Sequence, residues 1–245
     1  MKLYRKLHRY FGLIIGIQFL FWTMGGIFFA WSNIDQIHGD FNRKREKLFS
    51  DMSGWKSPEV VYSEVSKMNS VDSILSFRTI GILNEVFYQV QYYSGGKLKA
   101  ALADTQTGKV RPSLNREEAV AVAQNAFTPK SDVKHVELIT EQTIGSHHEY
   151  RNQPLPAYAI TFAHKSGTTV YVSAELAQVI KFRNSNWRIF DFLWMMHTMD
   201  YQNRDNFGNL LLRIFSVLGL ITIITGFILF FQSRKYMLKE HQIYK

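Results

Sequence analysis

The chain contains no cysteine, so no disulfide staples it and no thiol reports a redox compartment. Several enzyme signatures are missing as well. There is no glycine-rich phosphate loop, no His-Glu-x-x-His zinc pair and no Gly-x-Ser-x-Gly elbow. A hydrolase or a nucleotide-dependent enzyme therefore has no support. Charge is absent from two long stretches, Phe11 to Trp31 and Ile214 to Phe231. A helix rises about 1.5 Å per residue and a bilayer core is about 30 Å thick. The first stretch spans comfortably. The second spans once Leu210–Leu212 join it and Arg213 snorkels to the interface.

The net charge of +9 lacks the distribution expected for nucleic-acid binding. Lys2, Arg5, Lys6 and Arg9 in the first tail, and Arg234, Lys235, Lys239 and Lys245 against Glu240 in the last, account for +7 of it. The near-neutral middle has no footprint for a polyanion. Basic tails beside apolar spans predict both ends in the cytoplasm and the middle outside. The cluster Arg43, Lys44, Arg45 and Lys47 runs against that pattern, although the rule weakens when the translocated segment is long. Ala30-Trp31-Ser32 resembles a cleavage site, but the apolar run exceeds the usual signal core of about 7–15 residues, so retention is expected. The lipid bilayer is the first expected partner.

Between the spans, one unit is written twice. Ser57-Pro58-Glu59 opens a helix with Val61, Val65 and Met68 on one face; Asn115-Arg116-Glu117-Glu118 opens another with Ala119, Ala123 and Phe127. Tyr88, Val90 and Tyr92 then alternate with Gln89 and Gln91, and in the second copy Tyr158, Ile160 and Phe162 alternate with Ala159 and Thr161. Period-two alternation predicts half-buried strands. Ser94-Gly95-Gly96 and Lys165-Ser166-Gly167 turn these into partners around Leu98–Asp104 and Val170–Ser173. The two strands lie further apart in sequence than the two helix starts, which assigns the extra length to the loop Thr143–Pro156. The fold class is α+β: two transmembrane helices and an extracytoplasmic domain of two tandem helix-and-antiparallel-sheet units. The boundaries are 1–10 basic tail, 11–31 first span, 32–56 linker, 57–112 and 113–184 the two units, 185–209 an amphipathic interfacial helix and turn, 210–231 second span, and 232–245 basic tail.

The unit resembles the PepSY domain, in Glu118-Ala119-Val120-Ala121-Val122-Ala123, the strand Tyr158-x-Ile160-x-Phe162, and Asp104 to Val110 with its Asp-x-x-Thr-Gly-x-Val pattern. The ends resemble the membrane helices that accompany PepSY domains, through Arg5-Lys6-Leu7-His8-Arg9-Tyr10-Phe11-Gly12-Leu13 and Trp194-Met195-Met196-His197. The second copy departs from the pattern with Ser173 and Ala177 in place of Asp and Gly, and larger family members have four or more spans. The resemblance implies a bacterial inner-membrane protein with a periplasmic domain. It is similar to iron-regulated, ferric-reductase-like members that hold haem b.

Histidines are the residues that fit such chemistry. His8 stands at the inner mouth of the first span, with Gly12 and Gly16 following at successive helical turns. Gly219 and Gly226 repeat the arrangement on the second. These glycines make room either for a macrocycle or for a close helix. His197 lies on an aromatic strip with Trp187, Phe190 and Trp194, and His38 follows the first span on the outer side. His8, His197 and His38 are the candidate axial ligands implied by the resemblance. A bis-histidine haem needs imidazoles on both faces of the iron, which two spans supply in a homodimer or a larger envelope complex. His147-His148-Glu149 is a weak metal candidate, since adjacent histidines rarely chelate alone. The expected function is electron transfer across the membrane in the reduction of ferric iron or its chelates. The rival is a non-enzymatic PepSY module that docks a periplasmic partner.

Overall fold

The computed structural model describes residues 2–44, 52–68 and 70–243, so Arg45 and Lys47 of the basic cluster fall outside the described residues. The chain divides into two compact units, Met1–Asn33 with Arg188–Lys245, and Ile34–Trp187.

In the first unit, helix α1 (Lys2–Trp31) packs against the chain's last helix (Leu210–Ile243). The apolar segments Leu3–Trp31 and Leu210–Arg234 contain 29 and 25 residues. At about 1.5 Å per residue these are about 43 and 37 Å long, enough to cross a bilayer core. Leu13 and Phe227 are 71% and 60% exposed, a surface that lipid rather than water satisfies. Both helices continue through the basic tails, where the sequence reading places separate segments. No glycine or proline interrupts Lys2–Tyr10 or Gln232–Ile243, and most of these residues favour helix.

The second unit opens with α2 (Ile34–His38) and α3 (Pro58–Met68). Strands β1 (Ser73–Ile82), β2 (Glu85–Ser94), β3 (Lys97–Asp104) and β4 (Val110–Arg111) form one antiparallel sheet in that order. Helix α4 (Arg116–Ala126) follows, then a second sheet of β5 (Val133–Ile139), β6 (Ala157–Phe162), β7 (Thr169–Ser173) and β8 (Gln178–Arg183). The helix starting at Ser185 is α5 (Ser185–Thr198), and Leu210–Ile243 is α6. A capping box starts α4: the Asn115 side chain accepts from the Glu118 N–H, and the Glu118 carboxylate accepts from the Asn115 N–H. Burial pushes the Glu118 carboxyl up, but its bonds from Arg111 and Asn115 bring it below the usual range.

The two sheets repeat each other in register. Tyr88 pairs with Ala103 and Tyr158 with Val172, each on the second strand of its sheet. A bulge sits opposite Tyr92 and Gln91 in the first sheet, and opposite their counterparts Phe162 and Thr161 in the second. Tyr88, Val90, Tyr92, Ala101 and Ala103 bury against Val61 and Val65 of α3. Tyr158, Ile160, Phe162, Val170 and Val172 bury with Ala119, Ala123 and Phe127. Met68, the third apolar residue read on the α3 face, is instead 67% exposed at the helix end.

The closing turn of each sheet is also shared. Asp104 Oδ1 accepts from the Gln106 and Thr107 N–H groups and from Thr107 Oγ1, and Gly108 takes φ +74°. The Thr107 hydroxyl bond foremost holds the Asp104 carboxyl below its ordinary range, against burial. In the second copy Ser173 Oγ accepts from the Leu176 N–H at 3.2 Å, and Ala177 takes φ +51°. Serine supplies the acceptor without charge. Alanine bears the left-handed backbone at a cost of about 1–2 kcal/mol, partly offset by a methyl group that is only 1% exposed.

The copies differ in what covers the sheet face away from the preceding helix. On the first sheet, Ile80, Ile82, Phe87 and Leu102 join the buried cluster that holds α4. On the second, the inserted loop covers it: Ile144, Tyr150 and Leu155 pack with Ile139, Ala157, Ala159, Tyr171 and Ile180. A stack of two repeats has no third helix for its last face, and the loop takes that place.

Candidate functional site

The face of α1 toward α6 carries His8, Gly12, Ile15 and Phe19, spaced at one helical turn. His8 Nδ1 lies 3.2 Å from the Thr222 carbonyl and 3.3 Å from Thr225 Oγ1. Thr225 Oγ1 is itself placed to donate within α6, to Ile221 at 2.9 Å or Thr222 at 3.0 Å. A carbonyl only accepts, so the bond to Thr222 requires the proton on Nδ1. The neutral ring then keeps its lone pair on Nε2. A β-carbon at position 226 would stand 3.1 Å from His8 Cε1, so glycine there lets the imidazole lie this close to α6. Gly12 approaches Thr222, with its hypothetical Cβ at 3.9 Å, and Gly219 approaches the Phe19 ring at 3.7 Å. Gly16 is exposed and meets nothing within 4 Å. Three of the four glycines singled out by sequence thus serve α1–α6 packing, and Gly16 faces away from it.

From Phe190 onward, α5 packs against α1. Phe190 lies beside Phe29 with centroids 5.0 Å apart, and Trp22 lies 5.9 Å from the His197 ring. Helix ends leave their last four carbonyls without helical partners, and each must be satisfied in an apolar setting. Here Gln18 Nε2 donates to the Met196 carbonyl at 2.7 Å and Trp22 Nε1 donates to that of His197 at 2.9 Å. Asn209 Nδ2 donates to the Thr198 carbonyl at 2.9 Å, while the Thr198 hydroxyl serves Trp194 and Met195. Asn209 also caps α6, accepting from the Leu212 N–H at 2.8 Å.

The connection to α6 is locked by Asp200, whose carboxylate accepts from the Gln202, Asn203 and Asn206 N–H groups. Burial pushes the Asp200 carboxyl up, and these backbone bonds more than reverse it, leaving it below the ordinary range. Arg204 pairs with Asp191 of α5. His197 sits among Trp22, Phe29 and Trp194, and its Nδ1 is buried without a hydrogen-bond partner. An unpaired buried nitrogen is costly in an apolar setting, so the ring's orientation rests on contacts other than a bond to Nδ1.

The other candidate histidines belong to the central unit. His38 is the exposed last residue of α2 in the central unit. His147 is exposed, and His148 Nδ1 accepts from the Tyr150 N–H at 3.0 Å. Among the described residues no three His, Cys, Asp or Glu side chains gather to hold a metal ion. Sequence reasoning passed over Gln18, Trp22, Thr222 and Thr225. One signal was present: Gln18 is the only amide in the uncharged run Phe11 to Trp31, and a polar group at that depth needs a partner.

No curated protein and no solved structure matches this chain. A family model does, the PepSY-associated TM region, over residues 5–242. With two membrane helices flanking two helix-and-sheet repeats and that match covering nearly its whole length, the chain belongs to the PepSY-associated transmembrane family.

Proposed function

We propose that this membrane protein holds haem b between helices and passes electrons outward to ferric iron or its chelates. One observation carries the reading: His8 Nδ1 lies 3.2 Å from the Thr222 carbonyl, a bond that only the Nδ1–H tautomer makes and that keeps the lone pair on Nε2. Ligating histidines are oriented in this way, with the far nitrogen donating to a carbonyl. His197 adds a second imidazole, set among the apolar rings of Trp22, Phe29 and Trp194. When bound, haem would supply one-electron chemistry between ferric and ferrous iron. The protein's part is to fix the two imidazoles and surround them with apolar helix faces that exclude water. Gly226 admits the His8 ring, and Thr222 sets its tautomer. A second copy of the chain would provide a four-helix bundle and the opposing imidazoles, His8 with its mate on the inner side and His197 with its mate on the outer side.

The absorption spectrum of the purified full-length protein, from cells supplied with haem, tests this. A Soret band that sharpens and shifts on reduction is expected. His8→Ala and His197→Ala should each lower haem content severalfold without loss of membrane insertion. Wild-type protein without haem would end the electron-transfer reading and leave the docking module in its place.

The same reading puts both termini in the cytoplasm of a bacterial inner membrane and the repeats in the periplasm, on the strength of the basic tails. Because the chain has no cysteine, single substitutions can be labelled without background. Ser146→Cys in intact cells should react with an impermeant thiol reagent, and Lys2→Cys and Gln242→Cys should not. Labelling of the tails alone reverses the topology.

A further inference from the structure

We propose that Gln18 and Trp22 are positioning residues for His197, holding its ring by capping the carbonyls of its own helix turn. The functional sense of this rests on the haem reading, whereas the geometry stands without it. Gln18 is 5% exposed, inside the run that makes α1 a membrane helix. An amide there is costly unless it is bonded, and its bond goes to the carbonyl of Met196, next to His197. One turn on, Trp22 makes two contacts at once: its N–H takes the His197 carbonyl at 2.9 Å, and its ring lies 5.9 Å from the imidazole, tilted by 48°. Trp194 stacks on the same imidazole at 6.4 Å and 13°. The backbone of His197 is therefore held from α1 and its ring from two indoles, while Nδ1 keeps no bond of its own. With no hydrogen bond on Nδ1 to orient it, the imidazole depends on its backbone and its ring contacts, and Gln18 and Trp22 supply these from α1.

The test uses histidine-labelled full-length protein in lipid nanodiscs without haem. The Cε1–H resonance of His197 is identified by its loss in His197→Ala, and that of His8 by its loss in His8→Ala. Wild type should give one His197 peak. Gln18→Leu and Trp22→Phe should each split or shift it, since each lost hydrogen bond changes the population of alternative ring states roughly fivefold. The His8 peak should stay in place. An unmoved His197 peak in both variants overturns the proposal. So does equal movement of the His8 peak, because that signals general loosening of the helices. If wild-type protein takes up no haem, the haem reading fails while the resonances still decide whether these residues position His197. If haem is taken up, both variants should also broaden its low-spin paramagnetic signal, and an unchanged signal counts against the proposal.

Discussion

Tyr150→Ala is expected to cost the full-length protein about 3–5 kcal/mol of stability, the range for emptying a buried aromatic site. Tyr150 is fully buried, stacks on Tyr171 with centroids 4.9 Å apart and planes 13° from parallel, and donates its hydroxyl to the Pro154 carbonyl at 2.9 Å. Burial also pushes the phenol far above its ordinary pKa, so it stays a neutral donor at any pH a cell offers. The ring is the centre of the loop that covers the last sheet, together with Ile144 and Leu155. Without it the loop loses its largest apolar anchor, and the apolar face of β6 and β7 opens to water. Tyr150→Phe keeps the ring and loses one hydrogen bond, so it should cost only about 1–3 kcal/mol. Thermal unfolding of both variants, followed by aromatic circular dichroism, separates packing from hydrogen bonding. A Tyr150→Ala protein within about 1 kcal/mol of wild type would show that the loop is not a structural cap.

The sequence reveals the parts of this fold in which a period runs unbroken. Phe11 to Trp31 and Ile214 to Phe231 read as spans because nothing charged interrupts them. The strands β2 and β6 read as strands because Tyr88, Val90, Tyr92 and Tyr158, Ile160, Phe162 alternate cleanly, and both rows face a helix as expected. The outer strands β1, β5 and β8 show no clean alternation in the sequence, for one physical reason. Each lies at a register shift: beside Leu75 in β1, beside Lys134 in β5 and beside Ile180 in β8. An extra residue reverses the in–out parity halfway along a strand, so no single alternation spans it. The covering role of the inserted loop was hidden differently. Its length is visible in the sequence, but the face it covers exists only once two repeats are stacked.

The candidate site divides along the same line. The family resemblance singles out His8 and His197 as candidates, both on membrane-associated segments. Their settings depend on contacts between residues far apart in the chain: Trp22 with the His197 carbonyl, Gln18 with that of Met196, and His8 with Thr222 and Thr225. No local pattern encodes such pairs. The glycines show the limit well. Spacing alone puts His8, Gly12 and Gly16 on one face, but the contact follows His8, Gly12, Ile15 and Phe19, and the small angular drift of steps of four along an α-helix turns Gly16 out of it. Glycines on one helix could be told apart only by what stands opposite them.

That difference gives the second large effect, a substitution at Gly226. A leucine there is expected to expel the His8 ring, because even a β-carbon would lie 3.1 Å from Cε1. Forcing extra bulk into a packed contact costs about 1–3 kcal/mol. His8 would also lose the Thr222 carbonyl that sets its tautomer, so the Nε2 lone pair is no longer presented in one direction. Haem content should fall roughly tenfold, about the factor that 1.4 kcal/mol represents. Gly226→Ala should do less, since the imidazole is the end of a flexible side chain and can retreat by a few tenths of an ångström. Gly16→Leu is the matched control, for a β-carbon added there meets nothing within 4 Å among the described residues. Helix pairing can be followed in the cysteine-free chain by Gly12→Cys with Thr222→Cys, where the hypothetical Cβ of Gly12 stands 3.9 Å from a Thr222 methyl. Mild oxidation should bridge that pair in the parent protein and in Gly16→Leu, and much more slowly in Gly226→Leu. Should Gly226→Leu keep its haem and cross-link at the parental rate while Gly16→Leu loses haem, the ligand lies on the outward face of α1, between chains. The His8–Gly226 contact would then be helix packing alone.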